Sequence, residues 1–299
     1  MLALLAMALV VPVTAAKAPP TPIETAVVST GRAPCGMATR GARLWVGVYE
    51  TGQVLQMDAG GRIRKRFGVG SWACRLAVGP SAIWVTRDRA NEVVRIPRGA
   101  GRKIHINVGP NPFDVLLAAG SLWASSYDSG VVARLDPRTG RSISISRDGP
   151  NPAGLAACGG RIWVGHGRQA TWVTAIDPGS SSVERVDVGA DTPSSPQCVG
   201  GELWVTTVDS VVRIDPRTRT VVGRVHLGGT PADVVAAPDG LVWVTDKERS
   251  LVNRVDPQGT KLVDSFPAGA RGLRARSARE LGLGDELRRR GRSALRPVR

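Results

Sequence analysis

The sequence predicts an all-β fold built from repeated four-stranded units, and three observations carry that prediction. An aliphatic residue followed by tryptophan recurs at Leu44-Trp45, Ile83-Trp84, Leu122-Trp123, Ile162-Trp163, Leu203-Trp204 and Val242-Trp243, with spacings of 39, 39, 40, 41 and 39 residues. A turn of small residues precedes the tryptophan, as in Ala119-Gly120-Ser121 and Gly159-Gly160-Arg161. An aspartate follows 11–14 residues later at Asp58, Asp136, Asp177, Asp215 and Asp256, usually as Asp-Pro. Only the second unit departs, with Ile96-Pro97 in that place. Units of about 40 residues, broken by turn chemistry into short β-rich segments, are blades of a β-propeller rather than βαβ repeats.

Each part of the chain follows from its composition. Leu2 to Val13 is apolar and ends in small residues, Thr14-Ala15-Ala16-Lys17-Ala18. It is shorter than the roughly 20 residues a membrane span needs, so residues 1–18 read as a cleaved export signal and 19–23 as a Pro-rich spacer. The propeller is expected over 24–270. Within the third unit, Asp114–Ala118, Leu122–Ser126, Val131–Leu135 and Ser142–Ser146 are the four strands, separated by Gly- and Pro-containing turns. Asp-Pro-x-Thr-Gly is turn chemistry: the aspartate accepts backbone N–H groups, proline fixes φ, and glycine permits the left-handed exit. Single carboxylates one unit apart do not make a calcium loop, which needs several oxygens within a few residues. The tryptophans are expected to fill the space between neighbouring blades.

Ring closure predicts a seven-bladed plan. Glu24–Ser29 reads as an outer strand that precedes the first tryptophan unit, and such a strand joins partners from the other end of the chain. Gly282 lies 39 residues beyond Trp243, where a further tryptophan is expected. Residues 271–299 are therefore either a damaged seventh blade from a shifted reading frame, or a native basic tail. That segment carries ten arginines against Glu280, Asp285 and Glu286, which leaves +8 of the total +15 on the body. The charge does not by itself make the body a nucleic-acid binder.

Four cysteines fall in neighbouring units: Cys35 and Cys74 at matching positions, and Cys158 and Cys198 offset by one residue. Proximity favours the pairs Cys35–Cys74 and Cys158–Cys198, with four buried free thiols as the alternative. No Cys-x-x-Cys or Cys/His nucleophile arrangement is present.

In a propeller, the loops from strand four to the next strand one and from strand two to strand three surround one mouth of the central channel. The first set brings Gly36, Arg75, Asp114, Gly154, Ser195 and Asp233 there. The second brings Tyr49, Arg87, Asp88, Tyr127, His166, Thr207, Asp246 and Lys247. Both charge signs with a few aromatics suit a polar ligand better than a phosphate backbone. The candidate ligand-binding residues are Arg75, Asp114, Asp233, Trp72, Arg87, Tyr127 and Asp246. Arg75, Asp114 and Asp233 can equally neutralise one another at the hub. Trp72, outside the repeat register, is the candidate aromatic contact.

Gly228-Gly229-Thr230-Pro231-Ala232-Asp233-Val234, then Leu241-Val242-Trp243-Val244-Thr245 and Val252-Asn253-Arg254-Val255-Asp256-Pro257, resembles the YncE-like, YVTN-repeat exported β-propellers. The motif is also similar to the virginiamycin B lyase family, and the resemblance spans roughly residues 24–267. It implies the fold, while propellers host unrelated activities. The lyase resemblance implies a metal-assisted C–O elimination on a cyclic depsipeptide, carried by a glutamate and paired histidines. Here His166 alone lies near the mouth; His105 and His226 fall in outer strands. The residues favour an exported, non-catalytic, monomeric propeller without cofactor or metal. It would bind a small polar ligand, peptide or protein at the mouth and carry no transmembrane segment once the signal is removed. The alternatives are a lyase using His166 as general base with Mg²⁺, and nucleic-acid binding through the basic tail.

Overall fold

The computed structural model describes residues 28–267 except 148, 190 and 191. The expected export signal, the spacer, residues 24–27 and the basic tail lie outside the described residues. Blade one comprises β1 (Pro34–Arg40), β2 (Arg43–Val48), β3 (Gln53–Asp58) and β4 (Ile63–Gly68). Blade two comprises β5 (Ala73–Val78), β6 (Ala82–Arg87), β7 (Glu92–Pro97) and β8 (Ile104–Asn107). Blade three follows as β9 (Pro112–Ala118), β10 (Ser121–Ser126), β11 (Val131–Leu135) and β12 (Ser142–Ser146). Blade four is β13 (Pro152–Cys158), β14 (Arg161–His166), β15 (Trp172–Ile176) and β16 (Val183–Asp187). Blade five is β17 (Ser195–Val199), β18 (Glu202–Thr206), β19 (Ser210–Asp215) and β20 (Thr220–His226). Blade six is β21 (Pro231–Ala236), β22 (Val242–Asp246), β23 (Leu251–Val255) and β24 (Leu262–Pro267). Every blade is a four-stranded antiparallel sheet paired in chain order. The fold is an all-β, six-bladed β-propeller.

Burial follows position in the blade. The second strands are buried along nearly their whole length, because both sheet faces are covered by neighbouring blades, whereas the outermost strands are largely exposed. Trp45, Trp84, Trp123, Trp163, Trp204 and Trp243 are each at most 2% exposed. Each packs forward onto the following blade: Trp45 joins Leu76, Ile83 and Val85, and Trp123 joins Leu155, Ile162 and Val164. The period of 39–41 residues is thus the period of an interlock.

The sixth interlock closes the wheel. Trp243, Val252 and Phe266 of blade six share one core with Met37, Leu44, Val46, Val48, Leu55 and Met57 of blade one. The seven-bladed plan placed another sheet between those faces. Among the described residues no such sheet occurs, and Val28 and Ser29, part of its expected outer strand, carry no strand.

Two further devices bind the blades. In blades two and three the arginine paired across from the tryptophan reaches the next blade's Asp-Pro turn: Arg95 Nε donates to the Pro137 carbonyl at 3.1 Å, and Arg134 Nη1 to that of Pro178 at 2.5 Å. The turn aspartate meanwhile accepts backbone N–H groups, as Asp136 does from Arg138 at 2.7 Å and Thr139 at 2.9 Å. At these two interfaces Trp, Arg and the Asp turn therefore form one docking joint. Two positions beyond the tryptophan, a hydroxyl reaches toward the hub: Ser125 Oγ accepts from Asp114 N at 3.1 Å and donates to the Ala153 carbonyl at 2.6 Å. Blades one and four carry Gly47 and Gly165 there instead. A Cβ on Gly165 would lie 2.5 Å from the Ser194 carbonyl oxygen, so glycine permits closer blade contact.

These two close interfaces also hold the disulfides. Cys35–Cys74 joins the inner strands of blades one and two at the mouth end, with Cα atoms 4.9 Å apart. Cys158–Cys198 joins those of blades four and five at the opposite end, with Cα atoms 5.3 Å apart. The one-residue offset in the second pair does not separate its sulfurs.

Candidate functional site at the channel mouth

The loops leading into the first strands and those leaving the second strands bring widely separated residues together. Arg75 and Asp233, 158 residues apart, meet with Nη1 to Oδ1 at 3.2 Å, and both side chains are mostly buried. Their backbones are pinned from the second strands: Thr86 Oγ1 accepts from Arg75 N, and Thr245 Oγ1 from Asp233 N, each at 3.0 Å. The second oxygen of Asp233 is buried without a hydrogen-bond partner among the described residues. The Arg75 guanidinium also lies 5.8 Å from the Phe113 ring centroid, and Phe113 stacks on Tyr127 at 5.7 Å. Cation, pair of rings and carboxylate thus occupy one side of the mouth.

Beside them opens a cavity of about 310 Å³, lined by Cys74, Arg75, Asp88, Asn111, Pro112, Phe113 and Tyr127. Asp88 and Tyr127 stand on short 3₁₀ turns that follow β6 and β10. The Asp88 carboxylate accepts the Tyr49 hydroxyl at 3.0 and 2.9 Å, and Asn111 Nδ2 donates to Asp128 at 3.2 Å. Its walls offer a guanidinium, a carboxylate, a carboxamide and two aromatic rings. That set can bind an aromatic or planar group and read a charge of either sign.

Of the residues singled out from sequence, Arg75 and Tyr127 line this cavity and Asp233 holds Arg75. Asp114 is buried and structural, with its carboxylate accepting from Val115 N at 2.8 Å and from Leu155 N of the next blade at 3.0 Å. Arg87 braces loops, donating from Nε to the Ser71 carbonyl at 3.0 Å and pairing with Glu92. Asp246 is fully buried and accepts from the backbone N–H groups of Glu248 and Arg249 at 3.0 and 2.9 Å, and from Arg249 Nε at 2.7 Å. Burial pushes its carboxyl pKa up, but these donors outweigh that and leave it below the usual range. Trp72 adopts φ +73° and donates its backbone N–H to Tyr49 O at 2.6 Å; it is half-buried and outside the cavity lining. Phe113 was not anticipated. It is one of only three phenylalanines, and its place just before Asp114 in the mouth-facing register was the available signal.

His166 is fully buried. Its Nδ1 lies 2.9 Å from the Pro150 carbonyl, which can only accept, so that nitrogen carries the proton. Its Nε2 lies 2.8 Å from Thr174 Oγ1, within hydrogen-bond reach. Gly149 covers the ring closely enough that a Cβ there would fall 2.6 Å from Cε1. His105 and His226 are exposed in outer strands, where they meet Glu92 at 3.0 Å and Asp209 at 3.3 Å. Among the described residues, no three His, Cys, Asp or Glu side chains converge as a metal site. The Pro150 carbonyl and the Thr174 hydroxyl beside His166 are neutral and do not by themselves make the Mg²⁺ centre that the lyase resemblance implies.

The molecule is therefore a closed six-bladed propeller with a ligand-sized cavity at one mouth. Solved structures superpose on this chain over most of its length. Streptogramin B lyase superposes with a TM-score of 0.69 at 17% identity, covering 83% of this chain and 86% of that one. A catalytically inactive virginiamycin B lyase from Staphylococcus aureus with quinupristin gives 0.70 at 14% identity, covering 81% and 87%. Hydrazine synthase from Kuenenia stuttgartiensis gives 0.67 at 13% identity, covering 84% and 91%. No protein-family model and no curated protein matches the sequence. At these identities the likeness is one of fold, and it extends to proteins of different chemistry.

Proposed function

We propose that this chain is an exported, non-catalytic, monomeric propeller that binds a small polar ligand or the end of a peptide at its channel mouth. One observation carries the reading: Arg75, fixed between Asp233 and the Phe113–Tyr127 stack, forms a wall of a 310 Å³ cavity that also presents Asp88. A ligand with an aromatic group, a carboxylate for Arg75 and a donor for Asp88 matches every wall. The cavity is at the small end of ligand sites, which favours a compact molecule or one or two peptide residues. Two inter-blade disulfides support an oxidising compartment, in keeping with the apolar leader. The resemblance to YncE-like exported propellers supports the same reading, while binding of nucleic acid would fall to the tail.

The test is isothermal titration with a panel of aromatic dipeptides, in forms with free and amidated carboxyl ends. Binding is expected for free-carboxylate members and should fall at least tenfold in Arg75→Gln and in Tyr127→Ala. A panel without binders, or binders indifferent to both substitutions, overturns the assignment.

A further inference from the structure

We propose that blade two carries a second site, on the face opposite the mouth, for a small anion bearing two or more phosphate or sulfate groups. It lies where this blade alone departs from the repeat. Five blades cap the turn between their third and fourth strands with an aspartate, which accepts backbone N–H groups and adds negative charge. Blade two has Pro97 in that place, followed by Arg98-Gly99-Ala100-Gly101-Arg102-Lys103, which holds three cations and no acid. Together with the turn between β5 and β6, this loop borders a shallow, open cleft of about 890 Å³. Arg95, Arg98, Arg102 and Ser81 supply its polar side chains, and no carboxylate lines it.

Two of the three guanidiniums are already positioned. Arg98 Nη1 donates to the carbonyls of Gly79 at 3.0 Å and Pro80 at 3.3 Å, and its guanidinium lies 5.4 Å from the Trp45 ring centroid. Arg95 is held through Nε on Pro137. Each keeps further N–H groups, so an anion would meet fixed donors rather than having to order long side chains. Arg102 is exposed and makes no hydrogen bond or ion pair with any described residue. Three guanidiniums without a carboxylate leave positive charge that a phosphate or sulfate ester would neutralise, with the paired N–H geometry such groups accept.

Titration of the full chain with inorganic tripolyphosphate and with inorganic phosphate at low salt tests the site. Tripolyphosphate should bind at least tenfold tighter than phosphate. Arg102→Gln, which breaks no contact, should weaken it about tenfold, and Pro97→Asp, which restores the residue type of the sister turns, should weaken it at least as much. Arg138→Gln, in the matching turn of blade three, should leave it unchanged. Equal losses in Arg102→Gln and Arg138→Gln, or none in Arg102→Gln and Pro97→Asp, would show diffuse attraction to a basic chain and overturn the proposal.

Discussion

Replacing His166 by alanine separates a packing histidine from a catalytic one. The side chain is fully buried, with Nδ1 on the Pro150 carbonyl and Nε2 on the Thr174 hydroxyl. Truncation leaves both partners in a buried site without their bonds, at about 1–3 kcal/mol each. The void left by the imidazole adds to that cost, for a total of roughly 3–5 kcal/mol. A domain of this size loses about 2–4 °C of Tm per kcal/mol, so the melt should fall by roughly 6–20 °C. His166→Asn, whose amide can still donate to the Pro150 carbonyl, should recover part of the loss. Thermal melts followed by circular dichroism measure both variants, and chromatography of quinupristin incubated with the protein and Mg²⁺ measures turnover. The expected result is large destabilisation without turnover in any form. A variant that melts like the parent and abolishes a depsipeptide-opening activity present in the parent would refute the packing assignment and restore the lyase reading.

Three other consequences can be checked by similar means. Gly165→Ala puts a Cβ 2.5 Å from one backbone oxygen of blade five and 2.7 Å from another, so it should cost about 1–3 kcal/mol in a chemical melt, whereas Gly68→Ala, with open space around it, should cost far less. Replacing Cys35 and Cys74 together by serine opens a loop with a sequence separation of 39 and should remove roughly 4 kcal/mol under non-reducing conditions. Acid should destabilise the wheel through its turns. Backbone N–H groups hold Asp58, Asp136, Asp177 and Asp215 below the ordinary carboxylate range, chiefly those of Arg62, Thr139, Ser180 and Arg217. The unfolded chain, with aspartates near the usual value of about 3.9, takes up protons first, so this stability is complete above about pH 4 and is lost as pH falls through the folded values. Flat stability between pH 5 and pH 2 would show that the caps contribute nothing.

How much of this was legible in the sequence depended on the distance over which each feature is decided. The tryptophan interval, the Asp-Pro turns and the small-residue hairpins are settled within one blade or between consecutive blades, and local chemistry reads them correctly. The joint among Trp123, Arg134 and the Pro178 carbonyl could have been anticipated, since an arginine recurs opposite a tryptophan in four blades. Ring closure is different in kind. Whether blade six meets blade one depends on Trp243 and Phe266 fitting against Met37 and Leu55, some two hundred residues away, and no periodicity encodes that fit.

Depth set the same limit at the mouth. Positions three residues past the tryptophan, among them Arg87, His166 and Asp246, share one register, yet each braces a loop or fills a buried site. Beside Arg75, the cavity is faced by residues that the 3₁₀ turns and the start of β9 carry beyond that register: Asp88, Tyr127 and Phe113. Both tyrosines of the chain stand at this mouth, Tyr49 holding Asp88 and Tyr127 stacked on Phe113. The proposed recognition of a ligand rests on Phe113 and Tyr127 beside Arg75 in that cavity.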